Sequence, residues 1–168
     1  ALEGHLVLGK CYQALSRFAQ AKASFERVVE LDPNHVEAHF SIMQIAEQQN
    51  DDELVLKELE ALGRLVPRSP DVHFRLADAY KKQGRLDKAA IEYQKITDDF
   101  PTSLRARFEL IQIYEQQRKW RLAIGEYRKV AALNPNNVLR IRQRLGELLI
   151  FDGQAEEAVK EFRVVLDA

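Results

Sequence analysis

Apolar residues recur along the chain at intervals of three and four, the spacing of one face of an amphipathic α-helix. In the first repeat of this pattern, Leu8, Tyr12 and Leu15 are followed, after a polar break, by Phe25 and Val28. Five such breaks occur, at Ser16-Arg17, Asn50-Asp51-Asp52, Gln83-Gly84-Arg85, Gln117-Arg118-Lys119 and Asp152-Gly153. Because each break is short, the helices on either side are expected to fold back as antiparallel neighbours. The pattern therefore predicts an all-α chain built from helical hairpins.

Three sets of residues repeat with a period of 34. They are Pro33, Pro67, Pro101 and Pro135; Phe40, Phe74 and Phe108; and His5, His39 and His73. Proline disfavours a helical conformation in the residue before it, so each proline is expected to end the second helix of a hairpin. Asn34, Ser69 and Asn137 are predicted to cap the helices that follow.

These residues resemble the tetratricopeptide repeat, whose pattern W-x2-L-G-x2-Y, then A-x3-F, then P, recurs along the chain. Four copies fit the pattern: Leu8, Gly9, Tyr12, Ala21, Phe25 and Pro33; Leu76, Ala77, Tyr80, Ala89, Tyr93 and Pro101; Leu110, Ile111, Tyr114, Ala123, Tyr127 and Pro135; and, displaced by one residue, Leu145, Gly146, Leu149, Ala158 and Phe162. The second copy departs from the pattern because Val55 replaces the small alanine, and altered packing is expected there.

The resemblance implies a right-handed superhelical solenoid of antiparallel helix hairpins. It places one domain over residues 1–168, with five tandem repeats at about 2–35, 36–69, 70–103, 104–137 and 138–168. In such a solenoid the first helix of each hairpin lines a concave groove used for binding. The groove residues implied by the resemblance are Leu6, Lys10, Phe40, Gln44, Phe74, Asp78, Arg105, Phe108, Gln112 and Arg140.

Within this set, Phe40, Phe74 and Phe108 form an aromatic stripe flanked by amide and charged groups. Such a stripe suits an amphipathic helix or an extended peptide, because aromatic side chains supply contact area and polar groups fix orientation. The alternative is that the phenylalanines only pack between neighbouring repeats. The predicted function is a protein–protein interaction scaffold or adaptor that binds a partner's peptide or helical segment in the groove.

The charge distribution keeps two other functions open. The net charge is only −1, yet residues 26–66 contain ten acidic and three basic residues, whereas residues 101–145 contain ten basic and three acidic ones. These segments of about −7 and +7 suit solvated helix faces, an oriented partner, or a spacer or array that associates head to tail through its ends. RNA binding by the basic fourth and fifth repeats ranks last, because no repeating pair of base-reading residues is present.

Residues for catalysis or metal binding are not evident. Neither a phosphate-binding glycine loop nor a nucleophile elbow is present, so no enzyme activity and no cofactor are predicted. Equivalent histidines on neighbouring helices lie too far apart to share an ion, and His35 with His39 makes only a weak metal pair. Cys11 is expected to be a buried structural residue. Only Lys10 and Arg75 suit a clamp for a carboxy-terminal carboxylate, and Asp71 opposes them.

The chain has no apolar run long enough to span a membrane, and its amino terminus lacks a signal sequence. The cytoplasm is therefore the default expectation, although nothing in the sequence specifies a compartment. Both ends look cut, which predicts a piece of a longer protein.

Overall fold

The computed structural model describes residues 1–133 and 138–167. In these residues the chain forms ten α-helices and no β-strand. The helices are α1 (Leu2–Ala14), α2 (Phe18–Leu31), α3 (Val36–Gln49), α4 (Asp52–Leu65), α5 (Pro70–Lys82), α6 (Leu86–Asp99), α7 (Leu104–Gln116), α8 (Trp120–Leu133), α9 (Val138–Phe151) and α10 (Ala155–Leu166). The predicted all-α class is confirmed, and each polar break separates two helices. None of the described helices is both long and apolar enough to cross a membrane.

The chain divides into two compact units, Ala1–Arg85 and Leu86–Ala168. In unit 1, α1 packs on α2 and α3 packs on α4, while α2 contacts α3 and α4 contacts α5. In unit 2, α7 packs on α8 and α9 packs on α10, while α6 contacts α7 and α8 contacts α9. The single domain and the five repeat boundaries given above stay predictions.

Helix ends follow the local sequence, but two of the predicted side-chain caps do not form. Asp32, which precedes Pro33, is extended with φ −141° and ψ 94°, and it ends α2 as predicted. The predicted cap at Asn34 is wrong, because the imidazole Nδ1 of His35 accepts from the backbone N–H of Ala38 at 3.2 Å and caps α3. Ser69 precedes α5 but makes no capping side-chain hydrogen bond. Pro135 and Asn137 lie outside the described residues.

In unit 1 the core forms around the helix crossing predicted at Ala21. Phe25 on α2 is fully buried, and an added Cβ at Gly9 on α1 would lie 2.7 Å from its ring. Glycine is therefore required at residue 9 because the backbone of α1 approaches the ring closely. The same arrangement recurs in unit 2, where a Cβ at Gly146 would lie 2.8 Å from the ring of Phe162.

The second hairpin, α3 with α4, is present, as predicted. Val55 occupies the position that the buried alanines Ala21, Ala89 and Ala123 fill in other repeats. Unlike those alanines, Val55 is only half-buried, and it lines a surface cleft together with Leu59. The larger side chain is thus accommodated at the edge of the helix crossing rather than within it.

Each unit contains a buried, hydrogen-bonded side chain that connects a hairpin to the preceding turn. In unit 1, Nδ1 of His39 lies 2.5 Å from Glu58 Oε2, and Nε2 lies 3.0 Å from the carbonyl oxygen of Pro33. In unit 2, Arg107 donates to Glu126 Oε2 at 2.7 Å and to the carbonyl of Pro101 at 2.6 and 3.0 Å. Each pair spans 19 residues and joins the first helix of a hairpin to the second.

The prediction that Cys11 is buried is wrong, because its thiol is exposed. Its neighbour Leu8 is 42% exposed, whereas the equivalent Ile42 on α3 and Leu76 on α5 are buried. Helix α3 packs on α2, and α5 packs on α4.

Candidate functional site

The first helices of unit 1, α1, α3 and α5, present a surface whose polar side chains bond to one another. Lys10 on α1 pairs with Glu37 on α3 at 2.7 Å. The side-chain amide nitrogen of Gln13 donates to the side-chain amide oxygen of Gln44 at 3.5 Å. Arg75 on α5 pairs with Glu47 on α3 at 3.2 Å. We call this the first-helix surface of unit 1, and its polar groups hold the three helices in register.

Four other predicted groove residues lie in unit 1 in different environments. Leu6 is half-buried and packs against the core cluster around Phe25, so much of its surface is used in folding. Phe40 and Phe74 are also half-buried, whereas Asp78 is exposed. Asp78 lines a cleft of about 410 Å³ together with Glu47, Arg75, Val55 and Leu59. This cleft is rich in charged groups that already have partners.

The first-helix surface of unit 2, formed by α7 and α9, contains a more apolar pocket. Two predicted residues, Phe108 and Arg140, come together there, and the pocket has a volume of about 320 Å³. Among the described residues, Tyr127, Ile141 and Arg144 also line it. Arg105 and Gln112 are exposed but are not part of the lining.

A hydrogen-bonded group fixes one side of this pocket. Arg144 donates to both carboxylate oxygens of Glu115, at 2.8 and 3.2 Å, and to Glu147 at 2.7 Å. These hydrogen bonds raise the pKa of Arg144 above its already high value. Burial, aided by the carboxylate of Glu115, raises the pKa of Tyr127 from 10.0 to about 12. The phenol is therefore neutral at physiological pH, and the guanidinium of Arg144 is neutralised by two carboxylates.

The shifted pKa of Tyr127 predicts a loss of stability at alkaline pH. Between pH 10.0 and about 12 the phenol ionises in the unfolded chain but keeps its proton in the folded one. The unfolded state binds fewer protons there, so the stability present below pH 10.0 falls as the pH rises. Urea unfolding across this pH window should show that the free energy of unfolding falls less steeply with pH for Tyr127→Phe than for the wild type. Equal dependence of the free energy of unfolding on pH in the two proteins would contradict the raised pKa of Tyr127.

The basic segment is mostly neutralised within the chain. Eight of its ten cations have a partner: Arg105, Arg107, Lys119, Arg121, Arg128, Lys129, Arg142 and Arg144. The other two, Arg118 and Arg140, have no such partner among residues 1–133 and 138–167. Arg118 lies in the turn between α7 and α8, whereas Arg140 lines the pocket of unit 2.

The remaining candidates for chemistry have structural contacts. Both ring nitrogens of His39 contact Glu58 and the carbonyl of Pro33, and Nδ1 of His35 caps α3. The two imidazoles therefore have structural contacts and do not form a metal-binding pair. Where the structure describes the chain, no three histidine, cysteine or acidic side chains cluster around a possible ion. Lys10 and Arg75, the cations considered for a carboxylate clamp, are both paired with carboxylates.

Tyr127 and Arg144 were not predicted as pocket residues, although the sequence contains a signal for Arg144. Glu47 and Glu115 are 68 residues apart, which is two periods of 34. Arg75 and Arg144 follow them by 28 and 29 residues, the extra residue being the shift before the fifth repeat. The repetition of this acid–base pair along the period could have identified the bridge between neighbouring first helices.

Two sequence profiles, each describing the tetratricopeptide repeat, match residues 2–35 and 70–113. The matches fall on the first repeat and on the third repeat with the start of the fourth. The chain belongs to the tetratricopeptide-repeat family. Proteins of this family are generally non-enzymatic scaffolds that bind protein partners. Comparison with curated protein sequences finds no match.

Solved structures with the same fold include MamA and YrrB. The MamA protein superposes with a TM-score of 0.63 at 20% identity, over 99% of this chain and 90% of MamA. MamA residues 41 to the end from Desulfovibrio magneticus RS-1 superpose with a TM-score of 0.58 at 14% identity, over 99% of this chain and 93% of that MamA chain. YrrB, described as a TPR protein with an unusual peptide-binding site, superposes with a TM-score of 0.63 at 14% identity, over 97% of this chain and 84% of YrrB. These similarities establish the fold, an all-α helical-repeat solenoid.

Proposed function

We propose that this chain is a non-enzymatic scaffold that binds a peptide or helical segment of a partner protein on its first-helix surfaces. The observation that carries the proposal is the pocket of unit 2, where Phe108 is 39% exposed beside Tyr127 and Ile141. Aromatic side chains in a partly desolvated pocket are the usual anchors of a protein interface. YrrB, which has the same fold, is described as having a peptide-binding site.

The first-helix surfaces also have the rigidity that a binding surface needs. In unit 1 the hydrogen bonds and ion pairs of Lys10, Gln44 and Arg75 connect three neighbouring helices. In unit 2 Arg144 connects α9 to α7. A surface that is held in place before binding loses less conformational entropy when a peptide arrives.

The alternatives have less support from the same residues. Head-to-tail self-association and RNA binding both require an open basic field, because they depend on attraction between extended charged surfaces. In the described chain, eight of the ten cations between residues 101 and 145 already have partners. Little positive charge is therefore left for either role.

A library of random peptides tests the proposal, because selection from it does not require an identified partner. The whole chain would be used to select binders from a display library of random peptides of about 16 residues. The affinity of a selected peptide would then be measured with purified variants. Phe108→Ala should weaken binding by about tenfold, because an interface anchor contributes on the order of 1–2 kcal/mol. Circular dichroism would verify that the variant keeps its helical content.

The matched control is Ile91→Ala, which removes an apolar side chain that is 54% exposed on the second helix α6. This variant should bind the selected peptide as the wild type does. Equal affinities for Phe108→Ala, Ile91→Ala and the wild type would remove the pocket from the account.

A further inference from the structure

We infer that the pocket of unit 2 recognises an acidic peptide segment, taking one apolar side chain and a neighbouring side-chain carboxylate. The inference rests on the proposed function and specifies the chemistry of the partner. The residues that carry it are Phe108, Tyr127 and Ile141 for the apolar group, and Arg140 for the carboxylate.

The volume and lining of the pocket suit a single side chain. At about 320 Å³ it lies at the lower end of the range for ligand pockets, roughly 300–1,000 Å³. Two aromatic rings and Ile141 provide apolar walls, and Phe108 keeps 39% of its surface exposed. Covering such surface releases water, so a leucine, isoleucine or phenylalanine of the partner would be favoured there.

The two arginines of the pocket have different roles. Arg144 has its guanidinium bonded to Glu115 and Glu147, so it forms a fixed, neutralised wall. Arg140 is exposed, and no partner for it is present among the described residues. A guanidinium can bind a carboxylate through two parallel hydrogen bonds, a geometry that a point charge does not impose. A carboxylate next to the inserted apolar side chain would therefore pair with Arg140.

The charge of the lining also disfavours a basic segment. A lysine or arginine placed beside the apolar side chain would meet Arg140 at short range without a free carboxylate to pair with, since the acids nearest to Arg144 are already bonded to it. Nucleic acid fits poorly as well. Its affinity depends on many phosphates being neutralised at once, and the pocket supplies one such cation.

Two blocked peptides test the inference on the whole chain. The first is the acetylated and amidated octapeptide Gly-Ser-Asp-Leu-Phe-Asp-Ser-Gly, and the second has both aspartates replaced by asparagine. Both lack a terminal carboxylate, so only the side-chain charge differs. Isothermal titration calorimetry should show the acidic peptide binding roughly five- to tenfold more tightly, as expected for one charge-assisted pair.

The variant Arg140→Gln should abolish that preference, so that both peptides bind with the affinity of the asparagine version. Arg163→Gln is the matched control, because Arg163 is an exposed cation on α10 outside the pocket. It should keep the preference. Higher salt should reduce the preference in the wild type and in Arg163→Gln, but not in Arg140→Gln.

Failure of the inference can be told apart from failure of the proposed function. Equal affinities of the two peptides for the wild type, both weakened by Phe108→Ala, would overturn the acidic preference and leave peptide binding intact. Equal effects of Arg140→Gln and Arg163→Gln would also overturn it, as would the absence of binding by either peptide. Selection from the random peptide library tests the proposed function independently of the results obtained with these two peptides.

Discussion

Replacing His39 with leucine is expected to destabilise the chain by about 2–3 kcal/mol, because it leaves the buried carboxyl group of Glu58 without its hydrogen-bonding partner. His39 is 6% exposed and Glu58 is 5% exposed, so water cannot replace the lost partner. In the described residues the imidazole is the one hydrogen-bonding partner of the Glu58 carboxylate. The carbonyl of Pro33 can only accept, so Nε2 carries a hydrogen, and the variant leaves that carbonyl without its donor as well. Urea denaturation followed by circular dichroism measures the change.

His5→Leu is the matched control, because His5 occupies the same position in the first repeat. The residue 19 positions after His5 is Ser24, whose hydroxyl donates to the carbonyl of Gln20 instead. With no acidic group left unpaired, His5→Leu should change the stability by less than about 1 kcal/mol. The double variant His39→Leu/Glu58→Leu should recover most of the loss. A cost for His39→Leu as small as that for His5→Leu would contradict the role assigned to the pair.

Gly9→Ala is expected to destabilise the chain by about 1–3 kcal/mol, although alanine is the better helix former. The added methyl group would lie 2.7 Å from Cε1 of Phe25. That ring is fully buried in the core cluster that also contains Val28 and Ile42, so it cannot swing away without disturbing the core of unit 1. Thermal unfolding of the whole chain should therefore show a lower midpoint for this variant.

Gly4→Ala is the control on the same helix, because a Cβ at residue 4 meets no atom within 4 Å. Here only the helix propensity changes, so the stability should stay equal or rise by up to about 1 kcal/mol. Changes of the same sign in the two variants would show that the approach of α1 to Phe25 is not what requires glycine at residue 9.

Most of the fold could be predicted from the sequence because it is repeated. Polar breaks and prolines at a period of 34 define where helices end, and an error at one repeat is corrected by the others. The predictions that were wrong concern the burial of Cys11 and the cap of α3. Cys11 is exposed, although Ile45, at the same position on α3, is fully buried. The cap of α3 is His35 rather than Asn34, a choice between adjacent residues that depends on local backbone geometry.

The candidate site was less predictable, because it depends on which charges are used within the chain. Phe108 and Arg140 followed from the family pattern, but Arg105 and Gln112 were expected on the same grounds and are not part of the pocket lining. The ten basic residues between positions 101 and 145 kept head-to-tail association and RNA binding open as alternatives. Side-chain packing across neighbouring helices, such as Arg144 with Glu115, leaves Arg140 as the cation available in the pocket.

Hydrogen exchange of the whole chain, with and without a library-selected peptide, tests the central claim most directly. Peptide binding on the first-helix surface of unit 2 predicts slower exchange in α7 and α9 near Phe108 and Arg140, lost in Phe108→Ala and kept in Ile91→Ala. Slower exchange confined to the second helices, α2, α4, α6, α8 and α10, with no change in the first helices, would contradict the account.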